Sequence, residues 1–292
     1  MKNRLSGFAV PYVVWMAIFV VAPIIIMVVY AFSSDGGFTI DNFADMGSYA
    51  AVFGRSFKLA IIATVICLLI GYPVSYVMAR EGARFQKVAM IIIMLPMWMN
   101  FLLRTYSWMS ILENNGLLNQ LFGSIGLFDL VNSIGLRLAE NPELYEPIDH
   151  FNMIGTQGAV VLGMVYNYLP FMILPIYSVI VKLDGSLLEA AQDLGANNVR
   201  VFRRVILPLS LPGVLSGVTM VFVPSVSTFA ISRLLGGGTQ MMLGDLIEQQ
   251  FLGGAYNPQL GAAISLVMMV IVVVCMAVMN HFGEGEEQAV ML

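Results

Sequence analysis

Long apolar runs alternate with short polar segments along the whole chain. A helix of about 20 apolar residues spans the roughly 30 Å of hydrocarbon in a bilayer, and only helices and closed barrels satisfy their backbone groups there. The pattern therefore predicts an all-α membrane protein, embedded in the lipid bilayer as a single transmembrane domain over residues 1–292. The six predicted spans cover about residues 8–31, 59–79, 88–112, 158–181, 209–231 and 260–281.

Composition supports a membrane protein and argues against a globular enzyme of the cytosol. Hydrophobic residues make up 59% of the 292 residues and charged residues only 11%, whereas soluble domains carry about 25% charged residues. The two cysteines, Cys67 and Cys275, lie in apolar runs with no metal or redox motif around them. We therefore expect no metal site, no cofactor and no nucleic-acid partner.

The basic residues determine the predicted orientation, because lysine and arginine concentrate in short cytoplasmic loops. With a cytoplasmic N-terminus, both termini and the loop of residues 183–208 lie inside. The first run is longer than the about 7–15-residue core of a signal peptide, so we expect it to remain as an anchor. Nine of the fourteen basic residues are then cytoplasmic: Lys2, Arg4, Arg80, Arg84, Lys87, Lys182, Arg200, Arg203 and Arg204.

The opposite side of the predicted membrane protein is acidic. A negative mouth concentrates cations, but sorting of basic residues to the inside leaves the same excess of acids outside, so both interpretations stay open. Eleven acidic residues fall on this side or at its rim, against five basic ones: Asp35, Asp41, Asp45, Glu113, Asp129, Glu140, Glu143, Glu146, Asp149, Asp245 and Glu248.

Several chemical signatures are missing from the chain. It contains no P-loop sequence for ATP phosphates, no Ser-His-Asp set and no HExxH motif. None of the eighteen acidic residues lies deep within a predicted span, where proton- and sodium-coupled carriers usually place one. The chain is therefore predicted to be non-catalytic, and we expect a partner protein to supply the energy that drives it.

The loop before the fifth span has the pattern of two short helices on the cytoplasmic surface. Ser186 and Glu189 stand in the positions of a capping box, and Gly195 stands where a helix ends in the left-handed conformation. An asparagine (Asn197 or Asn198) then caps a second helix that carries three arginines. On physical grounds alone, this segment is equally suited to dock another protein or to lie on lipid.

The same loop resembles the EAA motif of type I ABC importer permeases, with valine at position 205 where the family favours isoleucine. The other matching residues are Glu189, Ala190, Ala191, Gly195, Leu207 and Pro208. Longer stretches are similar to the spermidine/putrescine permease subunits of bacterial ABC importers, of the type usually labelled B or H. These stretches are residues 94–108, 169–196 and 234–251.

This resemblance implies a fold, a function and a set of partners. It implies the six-span type I permease fold in the bacterial cytoplasmic membrane, and import of polyamines by alternating access. The implied partners are an ATP-binding cassette ATPase dimer, a second permease subunit that completes a heterodimer, and an extracytoplasmic polyamine-binding protein. ATP hydrolysis belongs to the ATPase, and the residues implied in coupling to it are Glu189, Ala190, Ala191, Gly195, Leu207 and Pro208.

Prolines interrupt the third, fourth and fifth predicted spans at Pro96, Pro170, Pro175 and Pro224. Such breaks occur where neighbouring protein or a watery cavity satisfies the backbone. Aromatic faces and amide oxygens beside them suit the passage of an ammonium group, although the same residue types are common in helix packing and at the membrane interface. The candidate pathway residues are Trp98, Asn100, Tyr106, Tyr166, Asn167, Tyr168, Ser225 and Ser227.

Three charged residues complete the predicted pathway. Asp245 and Glu248 are three positions apart, so we expect them to share a helical face and to form a cation-attracting vestibule. Arg104 repels a cation, and the outward direction of the third span places it near the outer side. There we expect it to pair with an acid or to hold a gate.

Other functions remain open at the level of sequence. The same transporter architecture carrying ferric iron, thiamine or an oxyanion is the nearest alternative, because the coupling loop does not encode the cargo. A stand-alone secondary carrier is disfavoured by the missing intramembrane acid. A membrane enzyme is disfavoured by the missing catalytic residues.

Overall fold

The computed structural model describes residues 10–34, 36–138 and 146–290, the last eleven by their backbone alone. The described chain is almost entirely helical, with one short antiparallel hairpin after the first helix. Five charged residues that the sequence assigned to one side of the membrane lie outside the described residues: Lys2, Arg4, Asp35, Glu140 and Glu143.

The elements follow one another in this order. They are α1 (Val10–Ala31), β1 (Ser33–Ser34), β2 (Gly37–Phe38), α2 (Asp41–Asp45), α3 (Ala50–Arg80), α4 (Ala83–Trp98), α5 (Phe101–Leu112), α6 (Leu117–Ser124), α7 (Leu127–Leu138), α8 (Gln157–Ile180), α9 (Gly185–Asp193), α10 (Asn198–Val201), α11 (Leu207–Ser227), α12 (Ala230–Leu235), α13 (Leu243–Leu252) and α14 (Pro258–Val290). A 3₁₀ turn (Met46–Tyr49) precedes α3, and π turns occur at Ala17–Val21 and Phe202–Ile206.

Five helical stretches of the described chain are long and apolar enough to cross a membrane. They are α1, the stretch Asp41–Arg80 that ends in α3, α8, the stretch Asn198–Ser227 that contains α10 and α11, and Pro258–Met279 of α14. A sixth crossing exists if α4 is taken together with Phe101–Ser124, although the two parts are bent by 91°. The third predicted span, residues 88–112, is therefore not one straight helix.

The break between α4 and α5 has a local cause. Pro96 cannot donate a backbone hydrogen bond to the turn before it, and Met99 adopts an extended conformation with ψ of 149°. The Asn100 side chain then accepts hydrogen bonds from the N–H groups of Leu102 at 2.8 Å and Leu103 at 3.3 Å. This cap satisfies backbone donors that the break would otherwise leave open.

The central bundle consists of α3, α8 and α11, which make the most extensive helix contacts. Two glycines let the backbones of α8 and α11 approach closely. A Cβ atom at Gly213 would lie 2.9 Å from the carbonyl oxygen of Pro175, and one at Gly217 would lie 3.1 Å from that of Met172. Small residues at such contacts favour association of helices within a membrane, because close packing replaces the hydrophobic effect that is absent between helices in lipid.

The remaining spans lie at the edge of this bundle. The first helix, α1, contacts α14 through a small cluster that contains Ala31, Ala262 and Ala263. No residue of α4 is buried. Both helices therefore present apolar side chains outward, which suits lipid or another subunit.

Candidate functional site

The loop that joins α8 to α11 forms the two short helices that the sequence predicts, but the first begins earlier than expected. Asp184, rather than Ser186, is its N-cap: the carboxylate accepts a hydrogen bond from the Ser186 N–H at 3.0 Å. This hydrogen bond lowers the pKa of Asp184. The predicted capping box between Ser186 and Glu189 is wrong, because both residues lie inside α9 and the Glu189 side chain is exposed.

The turn after α9 has the predicted geometry. Gly195 has a φ of +80°, and its N–H donates to the Gln192 carbonyl at 2.8 Å while the Ala196 N–H donates to the Ala191 carbonyl at 3.1 Å. A Cβ at Gly195 would meet no atom within 4 Å, so the backbone conformation alone requires glycine. Asn197 caps α10, since its side chain accepts from the Arg200 N–H at 2.9 Å.

The surface of α9 is open in the described chain, apart from a hydrogen bond of 3.4 Å from the Gln192 side chain to the Asn198 side chain. None of its residues is buried. Leu187 is 51% exposed, and Leu194, which directly follows the end of α9, is 89% exposed. The predicted coupling residues Glu189, Ala190, Ala191 and Gly195 lie together on this projection. The other two, Leu207 and Pro208, lie beyond α10 and the π turn, at the start of α11.

Phe202 attaches this loop to the central bundle, and the sequence did not single it out. Its ring packs edge-on against Tyr72 and Tyr76 of α3, with centroid distances of 5.7 and 5.4 Å. The Tyr72 hydroxyl also shares a hydrogen bond of 2.8 Å with the Ser210 hydroxyl of α11. The sequence signal that could have identified Phe202 is an aromatic residue in a run of arginines just before a span.

The predicted pathway residues fall into three groups. Trp98 and Tyr106, either side of the α4–α5 break, are 75% and 47% exposed, while Asn100 caps α5 between them. Tyr166 packs against Trp108 at 5.3 Å, and the Tyr168 hydroxyl donates to the Pro224 carbonyl at 3.4 Å. The others bond within their own helices: Asn167 to Gly163, Ser225 to Val221 and Ser227 to Val223.

The two predicted vestibule carboxylates have structural partners. Asp245 is 4% exposed, and one of its oxygens accepts from the Ser232 hydroxyl at 2.5 Å and from the Met242 N–H at 3.0 Å. Burial raises the pKa of Asp245. Glu248 forms an ion pair of 2.7 Å with Arg233. An open vestibule needs free carboxylates, whereas in the described chain Asp245 is a buried cap and Glu248 is paired, so the vestibule stays a prediction.

Arg104 is buried without the acidic partner that the sequence led us to expect. It is 8% exposed, and its Nε and Nη1 have no hydrogen-bond partner among the described residues. The Oδ1 atom of Asn167, on the adjacent α8, is likewise buried and without a partner there. A guanidinium in this position bears a large desolvation cost that no carboxylate of the described chain offsets.

A model of the family described as "Binding-protein-dependent transport system inner membrane component" matches residues 71–285. The chain is 36% identical over 266 residues to the spermidine/putrescine transport system permease protein PotB of Haemophilus influenzae, covering 88% of this chain and 86% of the relative. It is 33% identical to PotB of Escherichia coli, covering 88% and 90%.

The solved structures with a similar fold are also transporters. One is a bacterial ABC transporter involved in import of the acidic polysaccharide alginate, with a TM-score of 0.73 and 18% identity over 97% of this chain and 96% of that one. Another is the methionine ABC transporter MetNI, with a TM-score of 0.52 and 18% identity over 85% and 98%. At this identity the likeness concerns the fold, and it confirms the predicted all-α permease fold.

Replacing Arg104 with methionine tests whether the guanidinium lacks a buried partner. We expect Arg104→Met to leave the free energy of unfolding of the purified protein unchanged or to raise it by up to about 4 kcal/mol. The reason is that removing a buried charge relieves its desolvation cost. The measurement is thermal unfolding in detergent. A loss of stability of about 3 kcal/mol or more contradicts the expectation, because that loss is typical of a broken buried ion pair.

Proposed function

The chain belongs to the binding-protein-dependent transport system inner membrane components, and from this premise we propose that it is the polyamine-conducting permease subunit of an ATP-driven importer. The observation that carries the proposal is identity of 33–36% over 88% of the chain to permeases of spermidine/putrescine transport systems. The geometry of the α8–α11 loop supports the energy-coupling part of the proposal.

The proposed coupling element is α9 with its glycine turn. Asp184 and Gly195 fix its two ends, so it is a short body of defined shape rather than a flexible loop. The exposed Leu187 and Leu194 offer an apolar surface that a cleft of the ATPase would cover. Phe202 then carries any displacement of α9 to α3, and the start of α11 carries it to the central bundle.

The proposed pathway runs beside the α4–α5 break. Trp98 and Tyr106 expose aromatic surface on either side of it, and an aromatic face attracts an ammonium group without holding it as tightly as a carboxylate does. The described chain alone leaves these rings open to its surroundings, so a second permease subunit is expected to close the passage. Glu248 and its partner Arg233 remain candidates for its outer rim.

The remaining partners follow from the family. An ATPase dimer would seat on α9 and its counterpart in the second permease, and an extracytoplasmic binding protein would deliver the polyamine to the outer mouth. We propose that the importer lies in the bacterial cytoplasmic membrane, with α9 on the cytoplasmic side. One structural relative of low identity was solved together with an oligosaccharide-bound periplasmic protein, which illustrates this mode of delivery.

Uptake by the purified importer tests the cargo. The chain is co-purified with its ATPase and second permease, reconstituted in liposomes, and supplied with the loaded binding protein and internal ATP. We expect ATP-dependent accumulation of radiolabelled spermidine or putrescine, and no accumulation of thiamine, ferric iron or phosphate under the same conditions. Accumulation of one of those solutes in place of both polyamines would overturn the proposed cargo.

Substitution of Gly195 tests the coupling element. Valine costs about 1–2 kcal/mol in the left-handed conformation that this position requires, so Gly195→Val should distort the end of α9. We expect roughly tenfold lower uptake, with normal membrane insertion and weakened stimulation of ATP hydrolysis by the binding protein.

The matched control is Gly185→Val at the opposite end of α9. Gly185 has no positive φ, and a Cβ there meets no atom within 4 Å. This variant should retain uptake. Normal uptake and normal stimulation of hydrolysis in the Gly195→Val importer would rule out a coupling role for the turn.

A further inference from the structure

Three arginines surround a cavity beside the proposed coupling element, and the proposed transport function uses none of them. The cavity has a volume of about 440 Å³. We call it the arginine pocket, and it is lined by Asn197, Val199, Arg200, Arg203 and Arg204.

The charges of the arginine pocket are largely uncompensated. Arg203 and Arg204 are exposed, and neither has a carboxylate within ion-pair distance in the part of the chain that the structure describes. Arg200 makes one long hydrogen bond, from Nη1 to the Gly195 carbonyl at 3.4 Å, which holds it at the rim. The guanidinium of Arg80, 5.2 Å from the centre of the Tyr76 ring, adds a further positive charge close to Phe202.

The position of the arginine pocket relative to the spanning helices follows from Phe202, which immediately precedes Arg203. Phe202 packs against Tyr72 and Tyr76 of the spanning helix α3. Tyr76 lies four residues before the end of α3 at Arg80, which is about 6 Å along the helix axis. The neighbouring arginines therefore lie level with the last turns of a spanning helix, whereas α9 projects beyond them without a buried residue.

The ends of membrane-spanning helices generally lie at the level of the lipid headgroups. The cytoplasmic surface of a membrane is negatively charged, and basic pockets beside transmembrane helices there bind anionic headgroups. A guanidinium donates two parallel hydrogen bonds to a phosphate, which an ammonium group cannot do. Val199, 65% exposed at the edge of the pocket, supplies an apolar contact beside these donors.

We infer that the arginine pocket binds the phosphodiester group of an anionic phospholipid on the predicted cytoplasmic side. The shared chemistry is a phosphate anion, and the depth of the pocket identifies the bilayer rather than the solution as its source. A bound headgroup would attach the α8–α11 loop to the membrane surface at Arg203 and Arg204. This site is separate from the α9 surface that the ATPase is proposed to cover.

Native mass spectrometry of the full chain in detergent tests the inference. The probe is phosphatidylglycerol, with phosphatidylcholine as the neutral comparison and inorganic phosphate as the soluble one. We expect the protein to retain phosphatidylglycerol in preference to phosphatidylcholine, and millimolar inorganic phosphate not to displace it. Displacement by inorganic phosphate would overturn the lipid as the occupant.

Paired substitutions locate the binding. Because each basic side chain near an anionic surface contributes about fivefold in affinity, Arg203→Gln/Arg204→Gln should weaken phosphatidylglycerol retention about 25-fold. Arg203→Lys/Arg204→Lys should weaken it less, because the charge remains while the paired hydrogen bonds are lost. The control Arg84→Gln/Lys87→Gln removes two exposed cytoplasmic charges elsewhere and should leave retention unchanged.

Two outcomes of the substitution experiment contradict the inference. One is unchanged retention in the Arg203→Gln/Arg204→Gln protein. The other is a variant that keeps its lipid but no longer co-purifies with the ATPase, which would assign the arginines to that protein surface. Neither outcome depends on which solute is transported, so the proposed cargo stands or falls separately.

Discussion

The close approach of α8 to α11 at Gly213 and Gly217 is the constraint on which the rest of the structure depends. A side chain at either position would collide with the backbone of α8, so these helices pack as tightly as their main chains allow. The loop between them, which carries α9 and α10, therefore begins and ends on one rigid pair of helices. A force on that loop would therefore act on both helices.

Phe202 extends this connection to a third helix. It packs against Tyr72 and Tyr76, and the Tyr72 hydroxyl is bonded to Ser210. The α8–α11 loop is thus joined to α3 as well as to α8 and α11, while no residue of α9 is buried in the described chain. A segment held firmly on one side and open on the other is suited to transmit force from a protein that binds its open face.

The sequence predicts an all-α membrane protein, because a run of about 20 apolar residues matches the thickness of the bilayer. It also predicts the turn at Gly195, because few other residues tolerate its conformation. It fails where a choice depends on neighbours in space: the cap of α9 is Asp184, two residues before the predicted Ser186. The side-chain partners of Asp245 and the isolation of Arg104 are likewise tertiary facts that no local pattern encodes.

The ratio of solute imported to ATP hydrolysed, measured in the reconstituted importer with Phe202→Ala, tests the mechanical claim most directly. The account predicts that the ATPase still co-purifies with this variant while the ratio falls about tenfold, because the aromatic contact between the loop and α3 is lost. Phe85→Ala, at an exposed position near the start of α4, should leave the ratio unchanged. A normal ratio in the Phe202→Ala importer would contradict the claim that this contact transmits the motion.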